Sequence, residues 1–168
     1  MSLGYSVRNF STVGLAALLG LSSPALAVTT TGTFTVQIAI QASCALVSTA
    51  TLTFTSVGVI AANDDASTTL SVQCTNTTPY NIGLDAGIGV GATVASRKMT
   101  ALGGALVNYT LYSDTNRTTV WGQTIGTDTV SASGSGAAQP YTVYGRVPVQ
   151  TTPAPGTYTD TITVTVTY

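Results

Sequence analysis

The stretch TYTDTITVTVTY, Thr157 to Tyr168, alternates almost without error: Tyr158, Ile162, Val164, Val166 and Tyr168 fall on one face, and Thr157, Thr159, Thr161, Thr163, Thr165 and Thr167 on the other. Successive side chains of a strand point to opposite sides, so period-two alternation over this length specifies a β-strand with one buried and one solvated face, running to the last residue. A second alternating stretch lies near the other end, with Phe34, Val36, Ile38 and Ile40 interleaved with Thr33, Thr35, Gln37, Ala39 and Gln41. Between the two, strand signals recur at 52–54, 68–74, 80–84, 107–112, 120–125 and 141–147. Gly, Pro, Asn, Asp and Ser clusters separate them, and no amphipathic helix intervenes. Many short strands at this spacing predict an all-β domain, either a two-sheet sandwich or a barrel. Long strands at both ends create an edge problem, because unpaired backbone donors and acceptors recruit any extended chain that fits.

Residues 1–27 read as an export signal. Arg8 supplies a short positive region, Val13–Leu21 is apolar, and Ala25-Leu26-Ala27 has the small residues of a cleavage site. The apolar run is shorter than the ~20 residues needed to cross a bilayer, so no stable membrane insertion is expected after cleavage before Val28. The chain from Val28 onward has the length of one domain. Export takes the chain to an oxidising compartment, where Cys44 and Cys74 are expected to form a disulfide. A metal or redox site would need a close cysteine pair or partner ligands, and the chain has neither a Cys-x-x-Cys motif nor a histidine.

Charge excludes several functions. Charged residues are 7% of the chain and the net charge is −1, with Arg97, Lys98, Arg117 and Arg146 scattered rather than clustered. Nucleic acid and anionic membrane both need a basic patch, which is absent. Sparse charge also removes the usual device for keeping sheet edges apart, which suits a protein that associates edge to edge.

No catalytic constellation emerges. Without histidine or glutamate, six aspartates are the only acidic side chains, and the adjacent pair Asp64 and Asp65 would face opposite ways on a strand. Asp85, Asp114 and Asn116 match no calcium-loop spacing and read as turn residues. Gly87-Ile88-Gly89-Val90-Gly91 comes after a strand but lacks nucleotide-binding spacing and a subsequent helix, so a flexible turn is expected there. Ser131–Gly136 reads as a small-residue loop. Trp121, with Tyr112 or Tyr144, is the one aromatic set that could serve a carbohydrate-binding module as a stacking platform.

Several segments together resemble the spore coat protein U domain family, which includes pilin subunits of archaic, Csu-type chaperone-usher pili. They are Phe34-Thr35-Val36-Gln37-Ile38 leading to Cys44, Leu111-Tyr112-Ser113-Asp114 followed by Arg117-Thr118 and Trp121-Gly122, then Tyr144-Gly145, and the closing Gly156-Thr157-Tyr158-Thr159-Asp160-Thr161 with Val164-Thr165-Val166. The resemblance implies an incomplete immunoglobulin-like β-sandwich that lacks its last strand, arranged as a donor segment (28–42) and a domain (43–168). It further implies that a periplasmic chaperone fills the gap in transit. At an outer-membrane usher the leading segment of another identical or related pilin subunit replaces the chaperone strand. Phe34, Val36, Ile38 and Ile40 would then be the donor side chains, and Ile162, Val164, Val166 and Tyr168 would help line the acceptor groove. The implied function is a non-enzymatic, cofactor-free subunit of a surface pilus supporting attachment and biofilm formation. The alternatives are a spore or cell-surface coat protein without a pilus and a secreted carbohydrate-binding module.

Overall fold

Asp64–Cys74 shows why this chain folds as it does. Leu70, Val72 and Cys74 are buried while Thr69 and Gln73 beside them are exposed, so one face of the strand packs and the other meets water. The computed structural model describes residues 26–168, which contain nine strands and no helix. The strands are β1 (Cys44–Thr49), β2 (Asp64–Cys74), β3 (Pro79–Leu84), β4 (Arg97–Ala101), β5 (Leu106–Tyr112), β6 (Val130–Ser133), β7 (Ala138–Val147), β8 (Tyr158–Thr159) and β9 (Val164–Thr167). They form a six-stranded sheet in the order β1-β2-β7-β5-β4-β8 and a three-stranded sheet in the order β6-β3-β9, all pairings antiparallel. The inner faces of the two sheets share one core, in which Val72, Tyr80, Ile82, Leu84, Leu111 and Trp121 are almost wholly buried. This is an all-β, immunoglobulin-like sandwich. The chain divides into a leading unit ending at Ile38 and a second unit, Ala39–Tyr168, that holds every strand.

The longest pairing runs from Asp64↔Val147 to Gln73↔Ala138 and forms the spine of the larger sheet. A disulfide joins β1 to β2 at the directly opposed pair Cys44 and Cys74, as the export signal led us to expect. The expected signal itself lies outside the described residues except for Leu26 and Ala27.

Several expectations are corrected. Residues 34–40 form no strand, since no other segment pairs with them. Residues 52–54 keep the alternating exposure of a strand, with Leu52 and Phe54 half-buried, yet have no ladder partner. Residues 120–125 make only one bridge, Tyr112↔Val120, because Trp121 turns inward and donates its Nε1–H to the Ile82 carbonyl at 2.8 Å. At 1% exposure Trp121 is core and offers no platform to a sugar. The strands β1, β4 and β6 carry no strand signal in the sequence, and Ser131–Ser133 of β6 fall in the small-residue stretch expected to be a loop. The closing strand is also not continuous, since β8 belongs to the larger sheet and β9 to the smaller, and the chain changes sheets across residues 160–163.

Arg97 on β4 ties the two sheets together. Its side chain is fully buried and donates Nε–H to the Asp85 carbonyl (2.8 Å), Nη1–H to Val94 (2.9 Å) and Nη2–H to both Leu84 (3.0 Å) and Trp121 (2.7 Å). Four carbonyls at the end of β3 and in two loops are satisfied by one guanidinium, whose fork of donors no other side chain reproduces. Replacing Arg97 by Met keeps the bulk and leaves these acceptors unpaired. At ~1–3 kcal/mol for each buried unsatisfied group, Arg97→Met should destabilise by at least about 3 kcal/mol, read as a lower urea midpoint with an unchanged slope.

Candidate functional site

The two sheets do not meet all the way round. β1 is an edge of the larger sheet and β9 an edge of the smaller one, and the two approach one another without pairing. Along this side an open cleft of about 1020 Å³ enters the core. One wall is residues 49–60, which come after β1, and the other is residues 152–162 with the first residue of β9. Leu70, Leu84, Val107, Tyr109 and Val143 form an apolar floor. The cleft therefore opens part of the apolar core to solvent.

Local sequence sets each wall. Leu52 and Phe54 reach down onto Gly145 of β7, where an added Cβ would come within 2.9 Å of both side chains, so a glycine is needed to seat them. Phe54 meets Tyr109 edge-on, ring centroids 6.2 Å apart. The segment is held by side chains rather than by a ladder: Thr55 N–H donates to Asp64 Oδ2 (2.8 Å), Thr68 Oγ1–H to the Ala50 carbonyl (2.9 Å), and Ile60 N–H to Thr152 Oγ1 (2.8 Å). On the opposite wall Tyr158 donates its hydroxyl to the Ala154 carbonyl at 2.6 Å, and Ile162 and Val164 turn their half-buried side chains to the cleft.

The site residues expected from the sequence separate into groups. Ile162 and Val164 line the cleft; Val166 pairs with Ile82 and packs on the core beyond it, and Tyr168 lies past β9 with 60% of its surface exposed. Phe34, Val36, Ile38 and Ile40 are exposed by 76–87%. Directly after them the chain is anchored: Thr75 Oγ1 donates to the Gln41 carbonyl (3.2 Å) and accepts from Ser43 N–H (3.1 Å), one residue from the Cys44–Cys74 disulfide. The far wall, Leu52 and Phe54, was missed as part of a site. Its alternation was visible, but nothing in a sequence says that an alternating stretch will lack a partner.

Residues 30–165 match the spore coat protein U domain family. The chain belongs to that family. It is 34% identical over 170 residues to Protein U of Myxococcus xanthus, covering 93% of this chain and 94% of that one. Its fold is similar to a chain of the chaperone–tip adhesion subunit pre-assembly complex from the archaic chaperone-usher Csu pili of Acinetobacter baumannii, with a TM-score of 0.58 at 20% identity. That match covers 77% of this chain and only 40% of the other.

Among the described residues of this spore coat protein U domain, no group of acidic or cysteine side chains could hold a metal ion, and no helix is long and apolar enough to cross a membrane. The ionisable groups instead fasten the fold. Asp65 and Arg146, opposed on β2 and β7, form a bidentate pair (2.7 and 2.8 Å), and Arg117 stands 3.3 Å from the same carboxylate. The Arg146 hydrogen bond holds Asp65 below the usual carboxylate range. For Asp85 burial acts upward, but hydrogen bonds from Thr163 and Gly87 outweigh it and the net shift is down. Burial pushes the Tyr109 phenol up, with its bond to Asp160 adding to the effect, and burial with the Tyr80 contact does the same for Tyr141.

These shifts set the sign of the pH dependence. Depressed carboxylates contribute stability above their unfolded value of about 3.9 that is lost as pH falls through the folded value. Raised phenols contribute stability below about pH 10 that is lost as pH rises. Thermal unfolding should therefore show a plateau between about pH 5 and 9, an acid limb made shallower by Asp85→Asn, and an alkaline limb made shallower by Tyr141→Phe.

Proposed function

We propose that this chain is a structural subunit of an extracellular chaperone-usher pilus that polymerises head to tail by donor-strand exchange and supports surface attachment and biofilm formation. The observation that carries this reading is the cleft over an apolar floor, walled by the segment after β1 and by the closing segment up to Val164, with no strand of the described residues between them. Such a gap is filled by β-strand addition, in which main-chain hydrogen bonds supply affinity and alternate side chains fill pockets. The occupant is residues 28–42 of another copy, whose Phe34, Val36, Ile38 and Ile40 present a period-two apolar row. Ile162, Val164, Val166 and Tyr168 belong to the acceptor side, with Leu52 and Phe54 opposite. During transit through the periplasm a chaperone strand holds the same cleft, and the outer-membrane usher exchanges it. The fold shared with a subunit of a chaperone complex supports this, as does an amino-terminal stretch with the composition of an export signal.

The geometry is also suited to a linear polymer. The anchored root at Gln41–Ser43 lies at the Cys74 end of β2, and the cleft at its Asp64–Leu70 end. The root of the leading segment and the cleft thus lie toward opposite ends of β2. A contact between two different surfaces of this kind propagates as a filament unless its rotation closes a ring.

The relative named Protein U and the family's own description favour a second reading, a spore or cell-surface coat component that uses the same cleft without an usher. Electron micrographs of the exporting cell with and without the gene separate the two: filaments that vanish with the gene support the pilus, and surface protein without filaments supports the coat.

Deleting 28–41, or replacing Ile38 by Asp, should stop polymerisation while leaving chaperone binding intact, measured by ladder formation on unheated gels and by co-purification. An apolar side chain of this size contributes ~1.5–3 kcal/mol on burial, and a carboxylate in its place adds a desolvation cost, so Ile38→Asp should reduce polymer yield by more than about tenfold. Undiminished polymers from the deleted chain would refute the reading.

A further inference from the structure

Across residues 160–163, where the last strand leaves the larger sheet for the smaller, no ladder holds the chain. Two carboxylates substitute for it. Asp160 Oδ1 accepts from Ile88 N–H (2.9 Å) and Thr161 N–H (2.8 Å), and Asp160 Oδ2 accepts from the Tyr109 hydroxyl (2.7 Å). Asp85 Oδ1 accepts from Gly87 N–H (3.0 Å) and Thr163 N–H (2.9 Å), while Asp85 N–H donates to the Thr163 carbonyl (3.1 Å). Gly87 has φ of +77°, and a Cβ there would collide with the Asp160 carboxylate, so the glycine turn is shaped around that side chain. Tyr109 is only 4% exposed and stands on the cleft floor, with its ring against Phe54 of one wall and its hydroxyl on Asp160 of the other.

We propose that Tyr109 and Asp160 form a latch that fixes the spacing of the cleft walls and holds the edge of β9 in position to receive a donor strand. They are positioning residues, and the inference rests on the donor-strand reading above. Strand addition pays for any freedom that the acceptor edge must lose, so an edge held in place before binding accepts a strand more tightly. The closing strand cannot position itself, because β8 contributes only two paired residues and the chain then crosses residues 160–163 before β9 begins. A carboxylate fits this place because it accepts from three donors at once and carries no donor of its own.

The test uses the monomeric full chain and a labelled synthetic peptide of residues 28–42 in excess, well below the unfolding temperature of every variant. Tyr109→Phe removes one oxygen and keeps the ring packing, so it preserves a folded protein should Asp160→Asn fail to give one. Each is expected to weaken peptide binding about tenfold, and the double variant to be no weaker than the weaker single, because the one bond that Tyr109→Phe removes is also lost in Asp160→Asn. Gly87→Ala, which displaces the Asp160 carboxylate without changing it, should weaken binding in the same direction. Unchanged affinity in Tyr109→Phe with a lowered melting temperature would overturn the latch and leave donor-strand exchange standing, as would additive effects in the double variant. Failure of the peptide to bind the unsubstituted chain would overturn the donor-strand reading and the latch with it.

Discussion

The constraint on which this structure depends is an apolar core that the two sheets leave open along one cleft. Every backbone N–H and C=O that leaves water requires a partner, and apolar floor residues gain stability only when something excludes water from them. At the open cleft the second requirement is met only in part by the strands of Ala39–Tyr168. The floor is partly sheltered by Leu52 and Phe54, which come from a segment with no ladder of its own. The rest stays open. A domain of this size buries a limited fraction of its surface even when complete, which makes the staples elsewhere in the fold necessary: the disulfide at the root of β1 and the Arg97 guanidinium between the sheets.

Arg97, Asp85, Asp160 and Tyr109 sit together at the place where the last strand changes sheets. Each solves part of one problem, how to let a chain leave one ladder and join another without stranding polar groups. The guanidinium collects the carbonyls at the end of β3, and the two aspartates collect the amide donors on the crossing and in the Gly87–Gly91 turn. In a chain where charged residues are 7% of the total, three of them are placed at this crossing.

The sequence made the burial pattern legible and left the pairing obscure. Alternation in Thr68–Cys74, Tyr80–Leu84, Val107–Tyr112 and Tyr141–Val147 is a local property of each strand, and those four stretches lie in β2, β3, β5 and β7. The break in the closing stretch was written in the one lapse of its pattern, Asp160 on the apolar face, but its meaning depends on Tyr109 and Ile88, distant in sequence. β4 gives little signal because Arg97, one of its two inward residues with Met99, reads as solvated until the carbonyls around it are seen. Residues 34–40 show the converse. Their pattern is that of a strand, and the pattern is silent about whether a partner exists in the same molecule.

That silence has its origin in the physics of strand addition. Period-two alternation records only that one face of a segment is to be buried, whatever molecule supplies the covering surface. Within one chain, the short distance from Ile40 to the bond between Gln41 and Thr75 leaves no slack, so the apolar row begins where the domain ends. On the donor-strand reading, a second copy accepting that row abuts the disulfide pole of the first. On that reading, too, the short link from the apolar row to its anchored root sets the repeat of the assembly, and the cleft sets which strand is accepted.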